Sequence, residues 1–435
     1  MKRTISLGFS LLAIASSQSV LAPTLITVSP SVLRCAHQKT SLDFDSKRQL
    51  FLSAALPTLP NARSLVPSLK RLKKSLDVYG AQVMVILPPD RSLFYYPSST
   101  AITGGQGRQA YATNYALLAT TLRSAGFDAV ELVDLFRAEQ TQHPNQLLYR
   151  ADDPHWSSHA ANLTSQEVQH QLSKDHPTLL KALGKSSFDI LISNKPSSVG
   201  VYQRQLAQAC PAYQTKAISY NDVSIIERNF DLFASIPVTS LLIGTSFSTW
   251  SNQALGQLLS ARLNTPVANE AVPAGGLQAS FLQAFSKDDY ARKHVKLILW
   301  ELPAILPGTD SLSNLTDPIF LRQLLPAIDR DGSELLLRTA KTKAGQVDLK
   351  QLGIQAKTRL YLKIKLNNGG GRDFRLALNY GQAVESVRLE RPKGNVTDIY
   401  YFDLPDAVRS LSAVTLQGLP TNITQATLQV IAHRQ

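Results

Sequence analysis

An α/β domain followed by a β-sandwich is the architecture this sequence predicts, and three observations point to it. From about residue 64 to Trp300, short and wholly apolar runs alternate with helix-like segments. Runs of that kind belong to a mostly parallel sheet covered by helices on both faces. After Pro307 the pattern changes to short alternating strands between Gly-, Pro- and Asn-rich turns, as in a β-sandwich or jelly roll. The chain is also long: 435 residues exceed what one hydrophobic core usually holds, so two domains are expected.

The N-terminus comes first. Lys2 and Arg3 precede an apolar run from Ile5 to Ala15, and then small and polar residues follow. This is the layout of a secretory signal, with Ala13-Ile14-Ala15 or Val20-Leu21-Ala22 as cleavage sites. Apolar character resumes at Val20 and continues to Val28, so an uncleaved anchor is the alternative for residues 1–28. Both readings place the rest of the chain outside the cytoplasm. Two cysteines, Cys35 and Cys210, then fit one disulfide, with two buried free thiols as the competing reading.

Residues 29–330 carry the α/β pattern. A helix-like stretch over Ser68–Tyr79 leads into the strand Val83–Leu87, and another over Asn114–Ala125 leads into Ala129–Val133. The run Ser240–Gly244 precedes a helix over Gln253–Leu263, and Val295–Trp300 forms a late strand. A helical patch at Pro318–Ile328 closes this part. Residues 331–435 hold the strands RLYLKIKL, FRLALNY, VESVRLE, DIYYFDL and ATLQVIA.

The formal net charge is +13, and more than half of that excess lies on the strand-rich segment from Ser333 on. A basic surface suits an anionic partner such as nucleic acid, a membrane surface or an acidic polysaccharide. Export and the lack of any recognised binding motif weigh against nucleic acid.

Two short motifs carry the chemistry. In SLLIGTSFSTW a buried strand ends at Gly244 and Ser246 follows, just before a helix. A serine there stands at the C-terminal edge of a parallel sheet, where ligand sites collect. The helix end offers N–H groups suited to an oxyanion. The plain alternative is that Ser246, Ser248 and Ser251 are loop and capping residues. In ADDPHWSSHAA, Asp153 is placed to hold one imidazole nitrogen of His155 while the other faces Ser246, with Ser157 or Ser158 capping the next helix. Capping plus a surface histidine is the alternative, and a metal site built on His155 and His159 is a third reading that lacks an evident general base.

Taken together the two motifs resemble the AlgX/AlgJ family of SGNH-hydrolase-like proteins, which O-acetylate alginate in the bacterial periplasm. The matching stretches are Gly244-Thr245-Ser246-Phe247-Ser248, Asp153-Pro154-His155-Trp156, Trp300-Glu301-Leu302-Pro303 and LPPDRSLFYYPSS over Leu87–Ser99. The serine follows the Asp/His pair, which is the permuted order of this family. The resemblance implies a permuted SGNH-hydrolase-like sheet with flanking helices and a C-terminal carbohydrate-binding β-sandwich. It implies Ser246 as nucleophile, His155 as base and Asp153 as orienting acid, with no metal and no cofactor. Oxyanion donors would be the N–H groups of Ser246 and of Gly275 or Gly276, in a loop where Gly275 takes the place of the family's arginine. Arg91, Trp156 and Tyr400 are expected to touch substrate. The expected partners are an anionic or neutral polysaccharide and an acetyl donor, supplied by a membrane-bound acyltransferase, to a monomer working within a periplasmic assembly.

Overall fold

The computed structural model describes residues 29–40, 42–44, 50–52, 62–95, 105–183, 186–196, 199–228, 238–249, 254–273, 276–286, 294–304, 318–329, 335–342, 346–348, 359–366, 373–379, 383–390, 399–404, 413–417 and 426–433. The expected signal segment, Ser251 and Gly275 lie outside them. In chain order the elements are α1 (Pro30–Lys39), β1 (Leu42–Phe44), β2 (Leu50–Leu52), α2 (Ala62–Asp77), β3 (Gln82–Leu87), α3 (Gly105–Ser124), β4 (Asp128–Glu131) and α4 (Val133–Gln142). Next come α5 (Ser158–Asp175), α6 (Pro177–Ala182), β5 (Phe188–Pro196), α7 (Val201–Ala209), β6 (Ser219–Glu227), β7 (Ser240–Ile243), α8 (Ser246–Thr249), α9 (Leu255–Leu263), β8 (Val267–Asn269), α10 (Gly276–Ser286), β9 (Leu297–Glu301) and α11 (Pro318–Ile328). The last part holds β10 (Leu335–Thr342), β11 (Gln346–Asp348), β12 (Arg359–Leu366), β13 (Asp373–Asn379), β14 (Val384–Glu390), β15 (Ile399–Asp403), β16 (Ala413–Gln417) and β17 (Ala426–His433).

The central sheet has five strands in the order β4-β3-β9-β7-β8, and every pairing is parallel. Between their end residues the middle strands are apolar because helices cover the sheet, so there is no solvent face to reward alternation. Two helix groups flank it: α2, α3, α10 and α11 pack on one another, and α5 packs on α9 and α6. Tyrosines of this core place their hydroxyls on the carbonyls where strands end. Tyr115 donates to Leu87 O at 2.7 Å, Tyr149 to Pro89 O at 2.6 Å and Tyr111 to Ala304 O at 2.9 Å. Those carbonyls lie past the last ladder bonds, so a phenol that is apolar in body and polar at its tip satisfies them without opening the core to water.

One feature was not evident from sequence patterning, and one expected pairing is borne out. β5 and β6 form an antiparallel pair outside the main sheet. A disulfide joins Cys35 on α1 to Cys210 at the end of α7, and around it Val32, Ala36, Tyr202, Leu206 and Ile218 form a separate small core. The free-thiol alternative is thereby excluded.

The C-terminal part is a sandwich of two four-stranded antiparallel sheets, β10-β17-β12-β15 and β11-β16-β13-β14. Leu360, Leu362, Ile364 and Leu366 alternate inward along β12, as the period of two requires. The opposite face of the same sheet meets the first domain: Tyr361, Tyr401 and Ile431 belong to the α/β core, and α11 packs on β15. Arg359 fastens this seam through Asp329 at 2.6 Å and Asp403 at 3.0 Å.

Candidate active site

Ser246 opens α8 three residues after β7 ends, and it remains partly accessible while Thr245, Phe247 and Ser248 are buried. Across from it, residues 149–156 form a tight hairpin. Tyr149 and Trp156 are bridged, Arg150 N–H donates to His155 O at 3.0 Å, and Ser157 N–H donates to Leu148 O at 2.8 Å. Ser157 then caps α5, accepting from Ala160 N–H at 3.2 Å. His155 is left at the mouth of the helix, only 7 % exposed.

The side chains meet. His155 Nε2 lies 2.7 Å from Ser246 Oγ, and His155 Nδ1 is hydrogen-bonded to Asp153 Oδ1. Asp153 Oδ1 also accepts His155 N–H at 3.2 Å, and its second oxygen accepts Val201 N–H at 3.1 Å, at the start of α7. Burial pushes the Asp153 carboxyl up, but the bonds and charges of His155, the Arg150 guanidinium and the Val201 N–H outweigh it. The net effect holds Asp153 below the usual carboxylate range. An ionised acid on Nδ1 keeps the proton there and leaves Nε2 as the acceptor facing the serine. Such a set can take a hydroxyl proton, attack an ester carbonyl and return the proton to a leaving group.

The neighbouring Asp152 is fully buried and plays a different part. It accepts from Gly200 N–H at 2.7 Å and Gln203 Nε2 at 2.8 Å, so it docks the hairpin on α7. His159 turns away from His155 and reaches Glu139 Oε1 at 2.7 Å, an oxygen it shares with His143. The metal reading of the two histidines therefore fails on geometry. Among the described residues no group of three His, Cys, Asp or Glu side chains is arranged to hold a metal ion.

Comparison with known proteins bears on this geometry. A family model described as SGNH hydrolase-like domain, acetyltransferase AlgX, matches residues 50–304. The chain belongs to that family. The AlgX alginate biosynthesis protein of Pseudomonas syringae pv. tomato is 22 % identical over 381 residues, covering 80 % of this chain and 74 % of its own. That of Pseudomonas putida is 23 % identical over 355 residues, covering 76 % and 71 %. The solved structure of Pseudomonas aeruginosa AlgX superposes with a TM-score of 0.71 at 18 % identity, covering 94 % of this chain and 100 % of that one, so the two share a fold.

Within this AlgX fold, three residues expected to touch substrate do something else. Arg91 is buried, donates to Asp153 O at 2.6 Å and stacks over Tyr202 at 5.6 Å, so it braces the turn that carries the acid. Trp156 is fully buried; its Nε1 donates to Phe247 O at 2.8 Å and its ring meets Phe247 edge-on. It ties the His155 hairpin to the serine turn. Tyr400 is 6 % exposed and packs edge-on against Phe374 inside the sandwich, because position 400 falls on the inward side of β15. Gly276 begins α10, which packs against β7.

Sequence reading missed Glu301 as part of the site. It ends β9, is fully buried, and accepts Thr245 N–H at 2.7 Å, Thr245 Oγ at 3.1 Å and Ser248 Oγ at 3.1 Å. Burial pushes its carboxyl up to about 7 against the pull of those donors. The available signal was an acid closing the apolar run LILW, since a lone carboxylate in a covered sheet needs partners. Asn269 was also missed; its Nδ2 donates to Ser248 O at 2.6 Å.

Proposed function

We propose that this protein is an exported O-acetyltransferase that moves an acetyl group through an acyl-serine onto hydroxyls of an alginate-like exopolysaccharide. The observation that carries the reading is the continuous Asp153–His155–Ser246 hydrogen-bond chain, ending on an accessible hydroxyl at a sheet edge. His155 Nε2 draws the proton from Ser246, whose oxygen attacks the carbonyl of an acetyl donor. The tetrahedral oxyanion is held by the N–H of Ser246 and a second N–H from the segment around Gly275 and Gly276. Collapse expels the donor's leaving group, which takes the proton from His155 and leaves acetyl-Ser246. A sugar hydroxyl then attacks this ester, giving its proton to His155. The second collapse returns that proton to Ser246 and releases the acetylated sugar.

Charge and setting support the substrate class. The relatives are named for alginate biosynthesis, and a net excess of seven positive charges from Ser333 on suits a polyanion. The basic N-terminal leader supports export to the periplasm, where a membrane-bound acyltransferase would supply the acetyl group and the protein would act as a monomer within an assembly. No helix among the described residues is long and apolar enough to cross a membrane.

The test is Ser246→Ala with an acetyl ester and acceptor oligosaccharide. The expected outcome is loss of acetylated sugar by at least about 10³-fold. Full retention would overturn the mechanism, and release of acetate without any acetylated sugar would make the protein an esterase.

A further inference from the structure

We propose that Glu301 is a positioning residue for acyl transfer: its carboxylate, set beneath the Gly244–Ser248 turn, holds both residues that flank the Ser246–Phe247 pair and so sets the aim of the Ser246 hydroxyl. This deepens the catalytic reading above and rests on it.

Three donors from this turn converge on one carboxylate: Thr245 N–H, Thr245 Oγ–H and Ser248 Oγ–H. An ionised carboxylate is acceptor-only, with about four lone-pair sites, so it takes all three at once. The arrangement extends one step further. With its proton committed to Glu301, Thr245 Oγ is free to accept Phe247 N–H at 3.3 Å. Residues 245, 247 and 248 are thereby fixed through a single side chain, and Ser246 is carried between them.

The fit is close. A Cβ at position 244 would lie 2.5 Å from Glu301 Oε2 and 2.9 Å from Glu301 Cβ, so glycine at 244 lets the carboxylate reach the turn. On the flanking strands the register places Ile86 of β3 beside Glu301, and Ile243 of β7 beside Trp300; neither isoleucine carries a charge. The titratable groups of the neighbouring turns are Glu270, whose N–H bonds Leu242 O, and the Asp153–His155 pair, which reaches the turn through Ser246. Burial raises Glu301, and the Thr245 and Ser248 donors oppose that rise.

Protonation breaks the pattern. A neutral Glu301 must donate one proton, so one of the two hydroxyls has to turn round and accept. If Thr245 turns, Phe247 N–H competes for its oxygen. Misplacing a reacting atom by about 1 Å can lower a rate by about 10²-fold. As Glu301 takes up a proton below about neutrality, the three-donor pattern is lost and the rate falls.

The experiment uses the full chain, with 4-nitrophenyl acetate turnover and the rate of inactivation by phenylmethylsulfonyl fluoride, both followed from pH 4.5 to 9. The ratio of wild-type to Glu301→Gln rates should be largest at pH 8–9 and shrink towards one at pH 4.5, where the glutamate is as neutral as the amide. At pH 8–9 Glu301→Gln should show a kcat about 10- to 100-fold lower and a KM within about twofold. Ser248→Ala, which removes one donor, should lower kcat several-fold at pH 8–9 and less at pH 4.5. A wild-type to Glu301→Gln ratio that is the same at every pH, or a Glu301→Gln protein with the wild-type kcat at pH 8–9, would overturn the inference. If Glu301→Gln does not accumulate folded, the ratio of wild-type to Ser248→Ala rates decides, and one that is the same at every pH overturns the inference. Ser246→Ala is run beside them: if it abolishes both reactions while Glu301→Gln changes nothing, only this inference fails; if it retains them, the catalytic reading fails.

Discussion

The turn carrying Asp153 and His155 is tied down by peptide N–H groups at the start of α7, by the Arg91 guanidinium and by Trp156. The turn carrying Ser246 shares the Trp156 anchor through Phe247 O, and otherwise hangs on one buried carboxylate, on Asn269 and on Val272 N–H. Apart from its guanidinium, the first set of anchors is made of peptide and indole N–H donors, which carry no titrating proton. The second contains a group that titrates near neutrality. The lesson is that a site can keep its base and acid fixed while the placement of its nucleophile stays responsive to protons.

Four changes would break or sharpen that contrast. The largest effect should come from Asp153→Asn, which keeps the shape but removes the charge that holds the His155 tautomer. Its kcat should fall by about 10³–10⁴-fold, read from ester turnover at pH 7–8. A smaller loss would mean that Val201 N–H and Arg91 alone orient the imidazole.

Next is the disulfide. It closes a separation of 175 residues, for which the chain-entropy model gives about 5 kcal/mol of stabilisation. Cys35→Ala with Cys210→Ala should lower the denaturant midpoint accordingly. Because Cys210 ends the helix whose start holds Asp153, amide exchange should rise first at Gly200–Tyr202 and leave Thr245 protected. Equal loss at both turns would erase the distinction between the two anchors.

Third is Glu301 itself, read through stability. Its folded pKa, about 7, lies above the ordinary 4.5. Between those values the native state holds the proton more tightly than the unfolded chain, so stability falls as pH rises from about 4.5 to 7. At pH 8 the penalty is about 3 kcal/mol. Glu301→Gln should therefore raise Tm at pH 8 and leave it unchanged at pH 4, while lowering activity. A variant less stable at pH 8 would show the carboxylate to be a net structural support.

The smallest effect should come from Val201→Pro. Val201 is the first helical position of α7, where proline is tolerated, and Gly200 at φ −68° and ψ 164° already suits a following proline. The change deletes one N–H and little else. It should lower kcat by about 10-fold and shift the Asp153 titration upward, visible by NMR.

How much of this was legible in the sequence differs by element. The apolar runs at Val83–Leu87, Ser240–Gly244 and Val295–Trp300 matched central strands because a covered sheet leaves an unmistakable pattern. Ala129–Val133 was drawn too far: Val133 already begins α4, and an apolar run alone does not mark where a strand stops. Asn114–Ala125 covered only part of α3, whose polar first turns carry no apolar stripe. Ser246, His155 and Asp153 could be singled out because each sits in a short motif at an element's end. Arg91, Trp156 and Tyr400 were misread because residue type suggested a substrate contact, and only burial separates a brace from a binding group. Glu301 gave one signal, an acid closing an apolar strand, but not its role, and Val201 gave none, since their partners lie 48 to 56 residues away along the chain.

The seam between the two halves has a practical consequence. A fragment ending at Asp329 would strip the cover from the α11 flank and leave Asp329 without Arg359. The hydrophobic wall that Tyr361, Tyr401 and Ile431 now close would face water, an invitation to clumping. Anyone wishing to handle the chemistry apart from the strand-rich module should expect the pieces to behave as one indivisible body.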